Sequence, residues 1–209
     1  MKFCYLFFFI FFFTKVSAEL KLTPILEDLN KPWSITSKSN SEHLITEKSG
    51  NIIFFNKKTN LIKKISHNLK VLEHGQGGLL DILFKDQKVY VSYSEDRGDG
   101  KSSTSVAVAN YNLDLLNFNN IFQAEPPIAS GYHFGSRLVI RKDKLYVSVG
   151  ERGKGIIAQD PKKHPGSIIR INLDGSIPKD NPKFIDKKDW LPEIFQIGVR
   201  NPQGLTVSP

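Results

Sequence analysis

Beyond residue 19 the chain is a succession of strand-length apolar runs closed by turn signals at roughly ten-residue spacing, with almost no helical periodicity. Runs this short bury themselves only by pairing, which restricts the fold to an all-β sandwich, barrel or propeller. Residues 43–46 and 51–56 are β-rich and flank Glu47-Lys48-Ser49-Gly50, the signature of a hairpin with glycine in its turn. GLLDILF (78–84) is an apolar run of strand length, and KVYVSYS (88–94) and TSVAVANYNL (104–113) alternate apolar with polar. RLVIR (137–141) and KLYVSV (144–149) flank a tight Lys142-Asp143 turn, and SIIRINL (167–173) ends at Asp174-Gly175. IFQIGV (194–199) and residues 205–207 complete the series.

Two hairpins resemble each other. KVYVSYSEDRGDG (88–100) and KLYVSVGERGKG (144–155) are both alternating strands that end in an acidic residue and an Arg-Gly pair. A recurrence of this kind suits successive propeller blades of about 40–50 residues with insertions. The polar stretches 94–103 and 178–189 read as exposed loops, because strands of one type continue on both sides. Residues 19–209 are therefore expected to form one β domain.

The formal net charge is +8, supplied mostly by lysines, some of them paired as in Lys57-Lys58 and Lys63-Lys64. No arginine stripe or aromatic-basic interleaving accompanies them, so the charge reads as a solvated surface and nucleic acid is not an expected partner. At the amino terminus Lys2 precedes a phenylalanine-rich apolar run from Phe3 to Phe13, too short for a bilayer core that needs about 20 residues. Val16-Ser17-Ala18 then supplies small residues where a signal peptidase cuts. Residues 1–18 are read as a secretory signal, giving a periplasmic or secreted protein with no stable membrane association after cleavage. The single cysteine, Cys4, lies in that segment, which excludes disulfides and cysteine metal sites from the mature chain.

Three segments carry potential chemistry. Gly75-Gln76-Gly77-Gly78 is a glycine-rich turn before a buried strand, with no following Lys-Ser or Lys-Thr to make a phosphate loop. Gly131 to Arg137 places His133 between glycines at a strand entry, where an imidazole could serve as a general base. Gly198 to Gly204 offers the planar fork of Arg200 beside Asn201, whose backbone Pro202 holds extended. Taken singly, these read first as a turn, a structural histidine and a polar turn with a satisfied arginine.

Together they carry a family likeness. From Lys31-Pro32-Trp33 to Pro209 the chain resembles the soluble pyrroloquinoline quinone (PQQ)-dependent glucose and aldose sugar dehydrogenases, through GQGGLLDILF, HFGSRLVI, KLYVSVGERG, SIIRINLDGSIPKDNP and IGVRNPQGL. The resemblance implies a six-bladed β-propeller that holds PQQ at its top face, with calcium bridging the cofactor. It also implies oxidation of an aldose at its anomeric carbon and an external electron acceptor. On that likeness His133 is the general base, Gln76 faces the sugar, Glu151 stands beside the substrate where the glucose enzymes have Asp, and Arg200 and Asn201 contact PQQ. Gln159 and Asp160 belong to an AQD stretch shared with the aldose branch and are given no role.

A closed six-bladed propeller needs roughly 240–300 residues. The chain is thus expected to hold the first three to four blades, with the calcium ligands downstream and no metal ligand assigned within it. By itself it is not expected to bind PQQ productively or to be active. Two other readings of the β architecture are a calcium-dependent sugar lactonase propeller, which would need clustered metal-binding acids, and a non-catalytic binding propeller, which would tolerate loss of His133.

Overall fold

The structure, a computed structural model, describes residues 20–182 and 189–208. The expected signal segment, residues 1–18, lies outside them. The described strands gather into three sheets that follow one another along the chain. β1 (Pro32–Ser37), β2 (Glu42–Glu47), β3 (Asn51–Asn56) and β4 (Leu61–His67) form the first, an antiparallel meander. The second begins with β5 (Leu79–Lys85), β6 (Lys88–Asp96) and β7 (Ser102–Asn110). The chain then crosses to pair a two-residue strand, β8 (Leu115–Leu116), parallel to β4, and returns as β9 (Asn119–Gln123) beside β7. β10 (Gly135–Arg141), β11 (Lys144–Val149), β12 (Ser167–Asn172) and β13 (Ile194–Ile197) make the third. One 3₁₀ turn (Gly155–Gln159) follows β11.

Local chemistry explains the hairpins. Between β5 and β6, Asp86 and Gln87 both adopt left-handed backbone (φ 50° and 58°), as a two-residue loop between twisted strands requires. The two similar sequence hairpins land on equivalent strands: β6 and β11 are each second in their sheet. The expected alternation therefore recurs sheet by sheet.

The burial of β6 departs from the expected alternation of a wet and a dry face. Val89, Val91 and Tyr93 join Leu44, Ile52 and Phe54 in a core between the first and second sheets. Tyr90 joins Leu138, Leu145 and Val147 in another between the second and third. The middle sheet is thus covered on both sides. Ser92 and Ser94, where the pattern suggests solvent, are fully buried. A hydroxyl can be buried only with a partner: Ser92 donates to the Ser136 carbonyl and Ser94 to the Leu72 carbonyl.

The first strands of the three sheets meet at Asp81, which is 2% exposed. Its Oδ1 accepts from the Ser34 hydroxyl on β1 (2.5 Å) and from Arg137 Nη1 on β10 (3.0 Å). Its Oδ2 accepts from the Leu138 N–H (2.7 Å). Arg137 also lies over the Trp33 ring, 4.5 Å from its centroid. Removing the carboxylate strands an arginine and a buried amide, so Asp81→Ala is expected to cost about 3 kcal/mol. The denaturation midpoint reads this; a midpoint equal to wild type would show that the three strands are held by other means.

Candidate active site

Gly135, Val149, Ser167 and Ile197 form one row across the third sheet, so the segments leaving that edge converge. They are residues 130–134 before β10, 150–155 after β11 and 198–203 after β13. The glycine-rich turn before β5 joins them: Gln76 N–H donates to the Gly131 carbonyl at 2.7 Å. A side chain on Gly75 would lie 2.5 Å from that carbonyl, which only glycine avoids.

Each candidate residue named from the sequence is present at this junction. The His133 N–H donates to Gln76 Oε1 (2.8 Å), and His133 Nδ1 is hydrogen-bonded to Glu151 Oε1. The Glu151 N–H donates to the Arg200 carbonyl (2.8 Å), and the Gly135 N–H donates to Asn201 Oδ1 (2.9 Å). His133 itself sits in left-handed backbone, φ 51°, a conformation that side chains other than glycine seldom adopt. The chain permits this by passing closely under Gly150, where an added Cβ would lie 2.0 Å from the His133 carbonyl oxygen.

The carboxylate controls the imidazole. Glu151 is 3% exposed, and its second oxygen accepts the Gly155 N–H. Burial pushes its carboxyl up, but the bonds from His133 and Gly155 outweigh that and hold it below the usual glutamate value. An ionised Glu151 makes His133 Nδ1 the protonated nitrogen and leaves the Nε2 lone pair to accept a proton. The resemblance places Glu151 beside the sugar; here its two carboxylate oxygens also bond His133 Nδ1 and the Gly155 N–H.

The segment after β13 is fixed by its main chain. Ser148 Oγ donates to the Pro202 carbonyl (2.7 Å) and Arg137 Nε to the Gln203 carbonyl (3.0 Å). The Arg200 side chain is exposed and has no hydrogen bond or ion pair among the described residues. With its Oδ1 engaged, Asn201 offers its NH₂ outward. A free guanidinium next to an amide donor fits a carboxylate-bearing quinone such as PQQ. Among the described residues no three His, Cys, Asp or Glu side chains gather where they could hold a metal ion.

Residues 29–209 match the glucose/sorbosone dehydrogenase family model. The chain belongs to that family. It is 35% identical over 202 residues to the aldose sugar dehydrogenase YliI of Escherichia coli K12, covering 92% of this chain and 54% of that protein. It is 29% identical over 220 residues to the quinoprotein glucose dehydrogenase B of Acinetobacter calcoaceticus, covering 88% and 45%. The crystal structure of the soluble aldose sugar dehydrogenase from Escherichia coli in its apo form superposes with a TM-score of 0.81 at 34% identity, over 87% of this chain and 55% of that one. The chain thus spans about half the length of the relatives it matches.

Two residues of this family member were not singled out for a role by sequence: Asp81 inside an apolar run, and Arg152. Arg152 was visible only as part of the repeated acidic-Arg-Gly ending. Its guanidinium is in fact buried beneath the His133 loop.

The sign of the Glu151 effect is testable. Its folded value lies below the usual 4.5, so its contribution to stability is complete above that pH and lost as pH falls through the depressed folded value. The stability gap between wild type and Glu151→Gln is expected to be widest above pH 4.5 and to close steadily on acidification in urea titrations. A gap independent of pH through that range would detach Glu151 from an ionised role.

Proposed function

We propose that this chain carries the general base and part of the cofactor-contacting surface of a PQQ-dependent sugar dehydrogenase that oxidises aldoses to lactones. The supporting observation is the His133–Glu151 pair, which directs a proton-accepting Nε2 outward at the edge where Gln76, Arg200 and Asn201 also stand. PQQ, when bound, supplies the hydride acceptor. His133 Nε2 removes the proton from the hydroxyl on the anomeric carbon as that carbon gives up its hydride, leaving the lactone carbonyl. Glu151 holds the imidazole in the accepting tautomer and stabilises the imidazolium, much as the carboxylate of a hydrolase triad does. At 3% exposure it acts on the sugar chiefly through His133.

Gln76 uses its Oε1 to fix the His133 backbone and has its NH₂ left to donate to sugar hydroxyls. Arg200 and Asn201 would hold the cofactor, the guanidinium opposing negative charge as it builds on the quinone oxygens. In the same reading the three sheets would be blades of a six-bladed propeller, calcium would assist cofactor binding with no ligand assigned to it among the described residues, and electrons would pass to an external acceptor. Export to the periplasm or beyond completes the proposal. Among the described residues no helix is long and apolar enough to cross a membrane.

In the protein that carries this chain, supplied with PQQ and calcium, aldose-dependent dye reduction is expected. His133→Ala should lower kcat by roughly 10²–10⁴-fold, the usual worth of a positioned base. An undiminished rate in that variant would remove His133 from the reaction.

A further inference from the structure

Arg152 is a buried cation with no carboxylate partner among the described residues. It is 2% exposed, and burial alone lowers its pKa to about 10, so it stays charged at neutral pH. Its fork is spent on main-chain and hydroxyl oxygens. Nε donates to the Tyr132 carbonyl (3.0 Å), Nη1 to the Ser102 carbonyl (2.7 Å), and Nη2 to the Ser102 hydroxyl (3.1 Å) and the Ser130 carbonyl. Its own N–H donates to the His133 carbonyl (3.2 Å), and its guanidinium carbon lies 3.7 Å from the Phe134 ring centroid. It therefore touches residues 130, 132, 133 and 134 and ties them to the start of β7.

Filling that space with an apolar side chain would avoid the cost of burying an uncompensated charge. What an apolar chain lacks is a rigid plane that addresses several carbonyls in fixed directions at once. Two of those carbonyls, Ser130 and Tyr132, belong to the segment that leads into His133, and the Phe134 ring follows it; His133 is left-handed and needs its neighbours to keep it so (φ 51°, with Arg152 itself at φ 59°).

We propose that Arg152 is a positioning residue: its guanidinium locks the 130–134 loop so that His133 Nδ1 meets Glu151 and Nε2 faces outward. The effect on rate rests on the dehydrogenase reading, but the effect on His133 does not. The similar hairpin ending supports the distinction. Arg97, after Glu95 and Asp96, also reaches back to β7 through Ser103 (3.0 Å), yet pairs with Glu125 and touches no part of the 130–134 loop.

The test is NMR of nitrogen-labelled histidine rings at fixed pH, reading which ring nitrogen carries the proton, with His133→Ala assigning the His133 signals, in wild type, Glu151→Gln, Arg152→Met and Arg152→Lys. Both Arg152 variants are expected to move the His133 ring-nitrogen signals toward those of Glu151→Gln, because neither methionine nor a point-charge ammonium reproduces the fork. Lysine keeps the charge, so it carries the test if Arg152→Met does not fold. Where sugar oxidation is assayed, kcat is expected to fall about 10²-fold, with KM within two-fold. His133 ring signals identical to wild type in a folded Arg152 variant would overturn the proposal, even if stability dropped. A change in the His133 ring signals and loss of sugar oxidation are separate outcomes. An inactive wild type with shifted Arg152 variants would count against the dehydrogenase reading and leave the positioning role standing.

Discussion

The architecture depends on a carboxylate kept out of water. Asp81 must find donors for both oxygens once buried, and those donors are Ser34, Arg137 and the Leu138 amide. They lie on the first strands of the other two sheets, so satisfying one side chain draws three sheets into contact at one line. The candidate site inherits its alignment from the same strands. Residues 75–77 lead into β5 and residues 133–134 into β10. Arg137, while holding Asp81, also grips the Gln203 carbonyl and so carries the Arg200-Asn201 turn.

The site shows a second use of arginine. Arg137 faces a carboxylate, a carbonyl and an aromatic ring together, whereas Arg152 faces carbonyls and a hydroxyl with a ring beneath. In both cases a planar donor set organises irregular backbone that hydrogen-bonded ladders cannot reach. Irregular backbone is needed here because His133 must turn its ring toward Glu151 from a strand entry. The surrounding contacts over-determine a conformation that would not persist unaided.

Much of the fold was legible in the sequence. Strand-length runs and turn residues mark nine of the thirteen described strands, missing β1, β4, β8 and β9, while the run expected at residues 205–207 forms no strand; the resemblance between residues 88–100 and 144–155 pairs β6 with β11 as equivalents. Burial was less legible. KVYVSYS alternates whether one face or both are covered, and only the neighbouring sheets reveal that Ser92 and Ser94 bond inward. The site residues were legible as a set through family likeness and not through spacing, since Gln76 and Asn201 are remote in sequence. The division of labour among them was hidden. Nothing in GERG distinguishes an acid that meets sugar from one consumed by a histidine and a backbone amide. Nor does it show that the following arginine points down into the protein. Those assignments depend on which oxygen each donor reaches, a matter of angles that no linear pattern records.

The crossing of β8 bears on how the molecule comes apart. By leaving the second sheet after β7 to lie parallel to β4 before returning as β9, the chain laces two neighbouring layers at their outer margin. Lys63 and Asp114 add an ion pair at the same place. Peeling the first layer away would have to release this stitch before β9 could leave its own sheet. The stitch lies at the edge of the first layer opposite β1, so a pull at residue 20 meets β1 first and reaches the coupled margin only through β2 and β3.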